Sequence, residues 1–358
     1  MSDASRQGER RHSAGRNQRA GRYHPAAREI VRAWRRLAVG PGTTDRDRPT
    51  LIACSAGVDS SAMAIALATV RPAPVVAHVV HDLRTRADAL ADRDAAAALA
   101  AELGLRFVEA EVSIGGQPGN REALARRARY RALAELAEGA GCRFVTTAHH
   151  ADDQLETVLM RLIRGSGPRG MGGIRPVRSL GAVSVVRPML GLTRADAVSI
   201  CEAAGWAWKE DASNRDESFL RNAIRARVIP EIRAVRPDAA VRASVTAEVC
   251  RLAADAIERE ARLVLNAATR RAAGGRGVLL GRDELAAAPF AVRCEALRLA
   301  LRDAGGRGMD RAGWRVLSPA ARAIGDGKGQ PRAFRVGSIV LLVRSREVAV
   351  TAAEGSDG

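Results

Sequence analysis

The chain has 358 residues, 47% of them apolar and 27% charged, and its formal net charge at pH 7 is +17. This length favours roughly two or three domains, and the apolar content can fill a buried core. No apolar run approaches the roughly eighteen residues of a transmembrane helix, so we expect a cytoplasmic protein without a membrane partner.

The N-terminal residues 1–24 are mostly Arg, Ser, Gly and Gln, which predicts a disordered basic tail because such a segment buries too little apolar surface to fold. From Thr50 onward, short apolar strands alternate with helical stretches. This alternation predicts an α/β fold with a doubly wound parallel sheet. The predicted strands are residues 50–54, 75–80, 106–112, 143–147 and 183–187, with helices at 60–69, 87–103 and 120–138.

After Asp211 the strand pattern fades and helix dominates, first over residues 219–234 and then over 238–273. Close to the C-terminus, residues 333–336, 338–343 and 347–351 predict a small strand element. The predicted organisation is therefore the basic tail, a sheet domain over residues 25–215, and a mainly helical domain over residues 216–358 that carries the short strands.

The turn after the first predicted strand has the composition of an anion-binding loop. Backbone N–H groups in such a turn, together with the positive end of the following helix, can hold phosphate, and we expect Gly57 to allow close approach and unusual backbone angles. The alternative is an ordinary turn in which Asp59 or Ser60 caps the helix. The residues of the loop are Ser55, Ala56, Gly57, Val58, Asp59 and Ser60.

A second polar group follows the fourth predicted strand. His149, Asp153 and Glu156 are spaced i, i+4 and i+7, so they share one flank of a helix if helical geometry reaches back to His149. Two carboxylates and an imidazole at the carboxyl edge of the sheet could hold Mg²⁺ on a polyphosphate or move a proton. The alternative is that the acidic residues only complement the helix dipole.

Both segments resemble parts of one enzyme superfamily. Residues 55–60 resemble the S-G-G-x-D-S signature of the PP-loop, or N-type, ATP pyrophosphatases, which split ATP between its α and β phosphates. Ala56 stands where that signature has its first glycine, and a methyl group fits there if φ is negative. Residues 148–157 and 164–167 resemble the A-H-H-x-D-D-Q-x-E-T…R-G-S-G block of the tRNA(Ile)-lysidine synthetases.

Further stretches resemble the same family. Residues 78–84 are similar to its H-V-x-H-x-L-R block, residues 122–131 to E-x-x-A-R-x-x-R-Y, and residues 210–230 to E-D-x-S-N…R-N-x-I-R…P. The resemblance implies a ligase that uses ATP and Mg²⁺ to adenylate the wobble cytidine of tRNA(Ile) with a CAU anticodon, and then attaches free L-lysine. It implies that the helical domain binds the tRNA, and it is compatible with a homodimer.

The resemblance also implies roles for single residues. ATP would contact the loop at residues 55–60 together with His81, Arg84 and Arg129, and a guanidinium group suits bidentate phosphate contacts. The lysine or tRNA side of the cleft would involve residues 210–214 and the arginines at 221 and 225. The catalytic residues would be Asp59, His149, Asp153 and Glu156, and the Mg²⁺ ligands Asp59, Asp153 and Glu156.

Two other functions are compatible with the loop. A PP-loop tRNA thiolase would deliver sulfur through a cysteine pair or cluster, and the five cysteines of this chain include no C-x-x-C pair. A non-catalytic nucleotide- or RNA-binding module is the other alternative, because Ala56 replaces a loop glycine. The net positive charge predicts a polyanionic partner in each case, since a positive field attracts phosphate backbones.

Overall fold

The computed structural model describes residues 21, 23–39, 44–82, 85–113, 121–209, 220–270, 277–304, 314–326 and 330–352. The chain forms two compact units. The first comprises Met1–Arg164 and Gly173–Ala247, and the second comprises Gly165–Gly172 and Glu248–Gly358. The predicted tail at residues 1–24 lies outside the described residues except for Gly21, Tyr23 and His24.

The first unit is built on a six-stranded sheet with the order β3-β2-β1-β4-β6-β5. Five strands are parallel, and the edge strand β5 runs antiparallel to its neighbour β6. The carboxyl ends of the parallel strands therefore meet at one edge of the sheet. The strands are β1 Thr50–Ala53, β2 Val75–His81, β3 Arg106–Val112, β4 Phe144–Thr146, β5 Val177–Leu180 and β6 Val183–Val186.

Helices cover both faces of this sheet, as the alternation of strands and helices predicted. Side chains alternate along a strand, so Ile52 packs into one core with Trp34 and Met63, while Leu51 packs into the other with Tyr130. In chain order the helices are α1 Pro25–Leu37, α2 Val58–Leu67, α3 Arg86–Leu103, α4 Arg121–Gly139, α5 Ala151–Ile163, α6 Pro168–Met171 of the second unit, and α7 Arg194–Ala203.

The helix predicted over residues 219–234 is interrupted. It consists of α8 Leu220–Ala223, a π-helical turn Ile224–Val228 and α9 Ile229–Val235, in which Pro230 occupies the first turn. Proline lacks the N–H that a continuous α-helix needs, and π-turns absorb this break. The next helix, α10 Ala239–Ala268, ends before the predicted residue 273, and Thr269–Arg270 is already a strand.

The second unit contains an antiparallel five-stranded sheet with the order β7-β8-β11-β10-β9. The three predicted C-terminal strands are confirmed, and two that the sequence analysis did not predict, β7 and β8, extend their sheet. The strands are β7 Thr269–Arg270, β8 Val278–Gly281, β9 Arg332–Val336, β10 Ile339–Val343 and β11 Glu347–Ala352; the helices are α11 Arg282–Ala287, α12 Phe290–Asp303 and α13 Trp314–Gly325.

The α/β fold class is confirmed, with a parallel sheet, further helices and a separate C-terminal strand element. The compact units divide the chain within α10, whereas the sequence analysis placed a domain boundary after residue 215. That assignment of domains by function stays a prediction, because packing alone does not reveal which residues bind RNA. Among the described residues, no helix is both long enough and apolar enough to cross a lipid bilayer.

Candidate active site

The loop after β1 is held together by the hydroxyl group of Ser60. This oxygen accepts a hydrogen bond from the N–H of Ser55 at 3.1 Å and donates one to the carbonyl of Gly57 at 3.1 Å. Its distance to the Ser55 hydroxyl is 3.2 Å. No described side chain caps the N-terminus of α2, so the first N–H groups of that helix point into the loop without a side-chain acceptor. This arrangement can bind an anion such as phosphate.

The unusual backbone in this loop belongs to Ala56 and not to Gly57. Ala56 has φ +62°, the left-handed region that favours glycine, and its side chain is buried. Gly57 has φ −74° and ψ 163°, which any residue adopts, and a Cβ there would lie 3.6 Å from Ser55 Oγ, an ordinary contact. The condition under which a methyl group would fit at position 56, a negative φ, is therefore not met, and the special backbone predicted for Gly57 is wrong.

His150 connects the loop to helix α5. Its Nε2 lies 3.6 Å from Oδ1 of Asp59 and 3.7 Å from Oδ2 of Asp153, and its Nδ1 lies 3.2 Å from Oδ2 of Asp152. Burial lowers the pKa of this imidazole, but the three carboxylates outweigh burial and raise the pKa to about 10. One buried, positively charged histidine thus stands among three acidic side chains.

Arginine side chains neutralise the remaining acidic oxygens. Glu156, which is only 2% exposed, accepts hydrogen bonds from Nε of Arg221 at 2.8 Å and from Nε of Arg225 at 2.5 Å. Arg221 also reaches Asp153 Oδ1 at 3.5 Å, and Arg194 donates to Asp59 Oδ2 at 2.9 Å. The predicted acidic side chains are therefore brought together, in a setting where cations already surround them.

Asp152 holds helix α5 against two neighbouring helices. Its Oδ2 accepts a hydrogen bond from the backbone N–H of Arg194 at 2.7 Å, and its Oδ1 accepts one from Arg233. Burial alone would raise the pKa of this carboxyl, but the contacts with His150, Arg194 and Arg233 lower it to about 2. Asp152 is therefore ionised, and it ties α5 to α7 and α9.

His149 does not lie on the acidic flank of α5. The helix begins at Ala151, with His150 as its N-terminal cap, so helical geometry does not reach back to His149. The Nδ1 of His149 instead lies 3.0 Å from the hydroxyl oxygen of Thr147. Burial, reinforced by Arg187 and Arg126, holds the pKa of His149 well below its usual value, so it is neutral at pH 7. The condition for a flank shared with Asp153 and Glu156 is therefore not met by this residue.

The remaining predicted cofactor-binding residues are distributed around the same sheet edge. His81 is the last residue of β2, and Val58 is the buried first residue of α2. Arg129 lies on α4 with its guanidinium carbon 5.9 Å from the centre of the Tyr130 ring. Arg84 and residues 210–214 lie outside the described residues. The roles assigned to these residues stay predictions.

The predicted Mg²⁺ triad is only partly assembled. Oδ1 of Asp59 is buried without a hydrogen-bond partner among the described residues, and Asp153 approaches the same imidazole nitrogen. Both oxygens of Glu156 already bind arginines, and no group of three or more His, Cys, Asp or Glu side chains in the described part of the chain is arranged to hold a metal ion. Asp59 therefore keeps one oxygen that can receive a divalent cation, whereas both oxygens of Asp153 and of Glu156 already accept hydrogen bonds.

The sequence analysis missed several residues of the site. His150, Asp152, Arg194 and Arg233 were not among the predicted site residues. Thr193 and Asp196 form a capping box that marks the start of α7, but a capping box gives no information about the contact between Arg194 and Asp59. Only the pair of adjacent histidines before an acidic helix offered a signal, and it did not say which imidazole faces the carboxylates.

Comparison with known proteins identifies a matching family model and sequence relatives of this chain. Residues 27–232 match the family model of the PP-loop domain. The chain is 41% identical to the tRNA(Ile)-lysidine synthase of Methylobacterium nodulans over 266 residues, which are 74% of this chain and 76% of that protein. It is 34% identical to the tRNA(Ile)-lysidine synthase of Salinispora arenicola over 337 residues, which are 91% of this chain and 96% of that protein.

A solved structure with a similar fold is the U34-tRNA thiolase from Methanococcus maripaludis with its 4Fe–4S cluster. The TM-score is 0.50 and the sequence identity 15%, over 62% of this chain and 76% of that chain. At this identity the likeness concerns the fold alone.

Proposed function

Because the chain belongs to the PP-loop family of tRNA(Ile)-lysidine synthases, we propose that it ligates free L-lysine to the wobble cytidine of the CAU anticodon of tRNA(Ile). The enzyme is a carbon–nitrogen ligase that acts with ATP. The observation that carries this proposal is the meeting of the loop and the acidic helix at His150, whose Nε2 lies within 3.7 Å of both Asp59 and Asp153.

The first step of the proposed reaction is adenylation. The oxygen on carbon 2 of cytosine attacks the α-phosphate of ATP, an oxygen–phosphorus bond forms, and pyrophosphate leaves. Such a step depends on positioning and on neutralising charge, with no covalent enzyme intermediate. The uncapped amide groups at the start of α2 support a role in binding the phosphates, and the hydroxyl groups of Ser55 and Ser60 add neutral donors.

The second step is attack by lysine. The ε-amine bonds to carbon 2, the bond between carbon 2 and oxygen breaks, AMP leaves, and the nitrogen loses a proton. We assign Glu156 and its two arginines to the lysine side of the cleft, because this buried carboxylate can exchange an arginine for another cation. Neutral His149, four residues before Asp153, is suited to accept a hydrogen bond.

A divalent cation fits the same proposal. Asp59 and Asp153 would hold Mg²⁺, for which carboxylate oxygens are the preferred protein ligands, and the ion would neutralise charge on the departing pyrophosphate. The protein's own contribution is to set these two carboxylates on separate helices, α2 and α5, which both start at the carboxyl edge of the sheet.

Mass analysis of the RNA tests the function directly. An unmodified tRNA(Ile) transcript with a CAU anticodon, incubated with the protein, ATP, Mg²⁺ and lysine, should gain the mass of lysine less one water at the wobble cytidine. A transcript with a different wobble base is the matched control and should gain nothing. The absence of this mass gain, with folded protein and intact ATP, would exclude lysidine synthesis.

The same assay separates the alternatives. A thiolase would replace oxygen by sulfur at the base without needing lysine, but the cysteines are free and four of the five are buried. A non-catalytic module would bind ATP without lysine-dependent release of pyrophosphate.

We further propose that residues 216–358 bind the tRNA and that the protein is cytoplasmic. We also propose that it forms a homodimer, which light scattering during gel filtration would reveal.

A further inference from the structure

A cluster of arginines surrounds one buried tyrosine on the first unit. Tyr130 on α4 is 4% exposed. The guanidinium carbons of Arg126 and Arg178 lie 5.2 and 5.7 Å from the centre of its ring. Arg187, directly after β6, donates a hydrogen bond to the Tyr130 hydroxyl at 3.3 Å. Three elements, α4, β5 and the end of β6, thus bring their cations to one place, which we call the Tyr130 cluster (Arg126, Tyr130, Arg178, Arg187).

Within the described part of the chain, the cluster lacks a compensating acidic side chain. No described carboxylate forms an ion pair with Arg126, Arg178 or Arg187, although most other charged groups near the site are paired. Arg187 is only 3% exposed, and its Nε is buried without a hydrogen-bond partner among the described residues. Burial, together with the charges of Arg126 and Arg178, lowers the pKa of Arg187. Burying a cation among like charges is costly unless an anion joins them.

The Tyr130 cluster lies away from the loop at residues 55–60. Strand β4 lies between β1 and β6 in the sheet, so the end of β6 is two strand spacings, roughly 10 Å, from the end of β1. Both strand ends lie at the carboxyl edge, which also carries His149 and the acidic helix. An anion in the Tyr130 cluster would therefore sit beside the reacting centre and not on the triphosphate.

We propose that the Tyr130 cluster binds a backbone phosphate of the RNA next to the nucleotide that is modified. The inference rests on the proposed function, since it takes the substrate to be an RNA. Guanidinium groups suit phosphodiester oxygens, and contacts of this kind set the register of a nucleic acid without reading its sequence. Tyr130 holds the aliphatic and planar parts of the arginines in place, and buried Arg187 supplies a fixed donor.

Salt dependence of RNA binding tests the proposal. The variant Arg126→Gln/Arg178→Gln removes two exposed charges of the cluster and leaves buried Arg187 in place. The control Arg106→Gln/Arg143→Gln removes the same charge from exposed positions at the amino ends of β3 and β4. Binding of the unmodified CAU transcript and of an unrelated tRNA would be measured by fluorescence anisotropy over a range of salt concentrations, and ATP binding by calorimetry.

We expect the cluster variant to bind both RNAs about tenfold more weakly, with the slope of log affinity against log salt reduced by ~0.7, the value for one single-strand phosphate charge that is no longer neutralised. ATP affinity and the control variant should match the unchanged protein. Weaker ATP binding, an unchanged slope or an equal effect in the control would overturn the proposal. The outcome does not depend on lysidine formation, because the slope is measured without ATP or lysine, so failure of the proposed function would appear separately in the mass assay.

Discussion

Nε2 of His150 lies 3.6 Å from Oδ1 of Asp59, so a single imidazole joins the helix after the first strand to the helix after the fourth. The two residues are far apart in the chain, and the sheet brings them together because β1 and β4 are neighbouring parallel strands whose carboxyl ends coincide. The loop after β1 and the acidic helix α5 therefore lie together at one place on the sheet edge.

Replacing this histidine should weaken the fold as well as the reaction. In His150→Gln, the carboxylates of Asp59, Asp152 and Asp153 lose their shared cation, and we expect the free energy of unfolding to fall by ~2–4 kcal/mol. Urea unfolding would measure it. The double variant His150→Gln/Asp59→Asn should lose less than the sum of the two single variants, because it removes one repelling charge; strict additivity would contradict the assigned contact.

Changing Ala56 to glycine should stabilise the protein. A non-glycine residue in the left-handed region costs ~1–2 kcal/mol, and the greater freedom of glycine in the unfolded chain offsets part of that gain, so we expect about 0.5–1 kcal/mol from Ala56→Gly. Denaturant unfolding would measure it. Gly104→Ala is the matched control, because Gly104 has φ +67° with no atom near the position of a Cβ, and it should destabilise. A loss of stability in Ala56→Gly would refute the assigned backbone geometry.

The stability of the protein should decline in mild acid because of His149. Its pKa in the folded protein is lowered, by burial first and then by the nearby arginines, so the unfolded chain binds a proton more readily than the folded chain. The stabilising contribution is complete above the unfolded pKa of about 6.5 and is lost as the pH falls below it. Unfolding measured between neutral pH and about pH 5 should show a flatter dependence in His149→Asn, and identical profiles would disprove the assignment.

Removing the charge of Glu156 should reduce stability and lysine-dependent product formation more than removing the charge of either of its arginine partners alone. Glu156→Gln leaves Arg221 and Arg225 facing an uncharged amide, which we expect to cost about 1–3 kcal/mol of stability. It should also reduce lysine-dependent product formation at least tenfold. Arg221→Gln should be more harmful to turnover than Arg225→Gln, since Arg221 also donates a hydrogen bond to Asp153. Steady-state kinetics with varied lysine would check this order, and a reversed order would argue against it.

Local patterns in the sequence are enough to predict the sheet and the place of the site on it. The alternation of apolar strands with helices predicts the parallel sheet, and the order of Ser55–Ser60, the two histidines and the acidic helix predicts which strand ends form the site. These features are local, since they depend on periodicity and on residues within a few positions of each other.

Other features depend on contacts between distant segments, and only the tertiary structure decided them. Arg194 meets Asp59, and Arg221 and Arg225 meet Glu156, through packing that no local pattern encodes. The same packing turns His150 toward the acids and His149 toward the arginines, and it holds Ala56 in a backbone conformation that alanine alone disfavours. A sequence specifies which groups are available, whereas the fold sets their partners, because the free energy of a buried charge depends on what surrounds it.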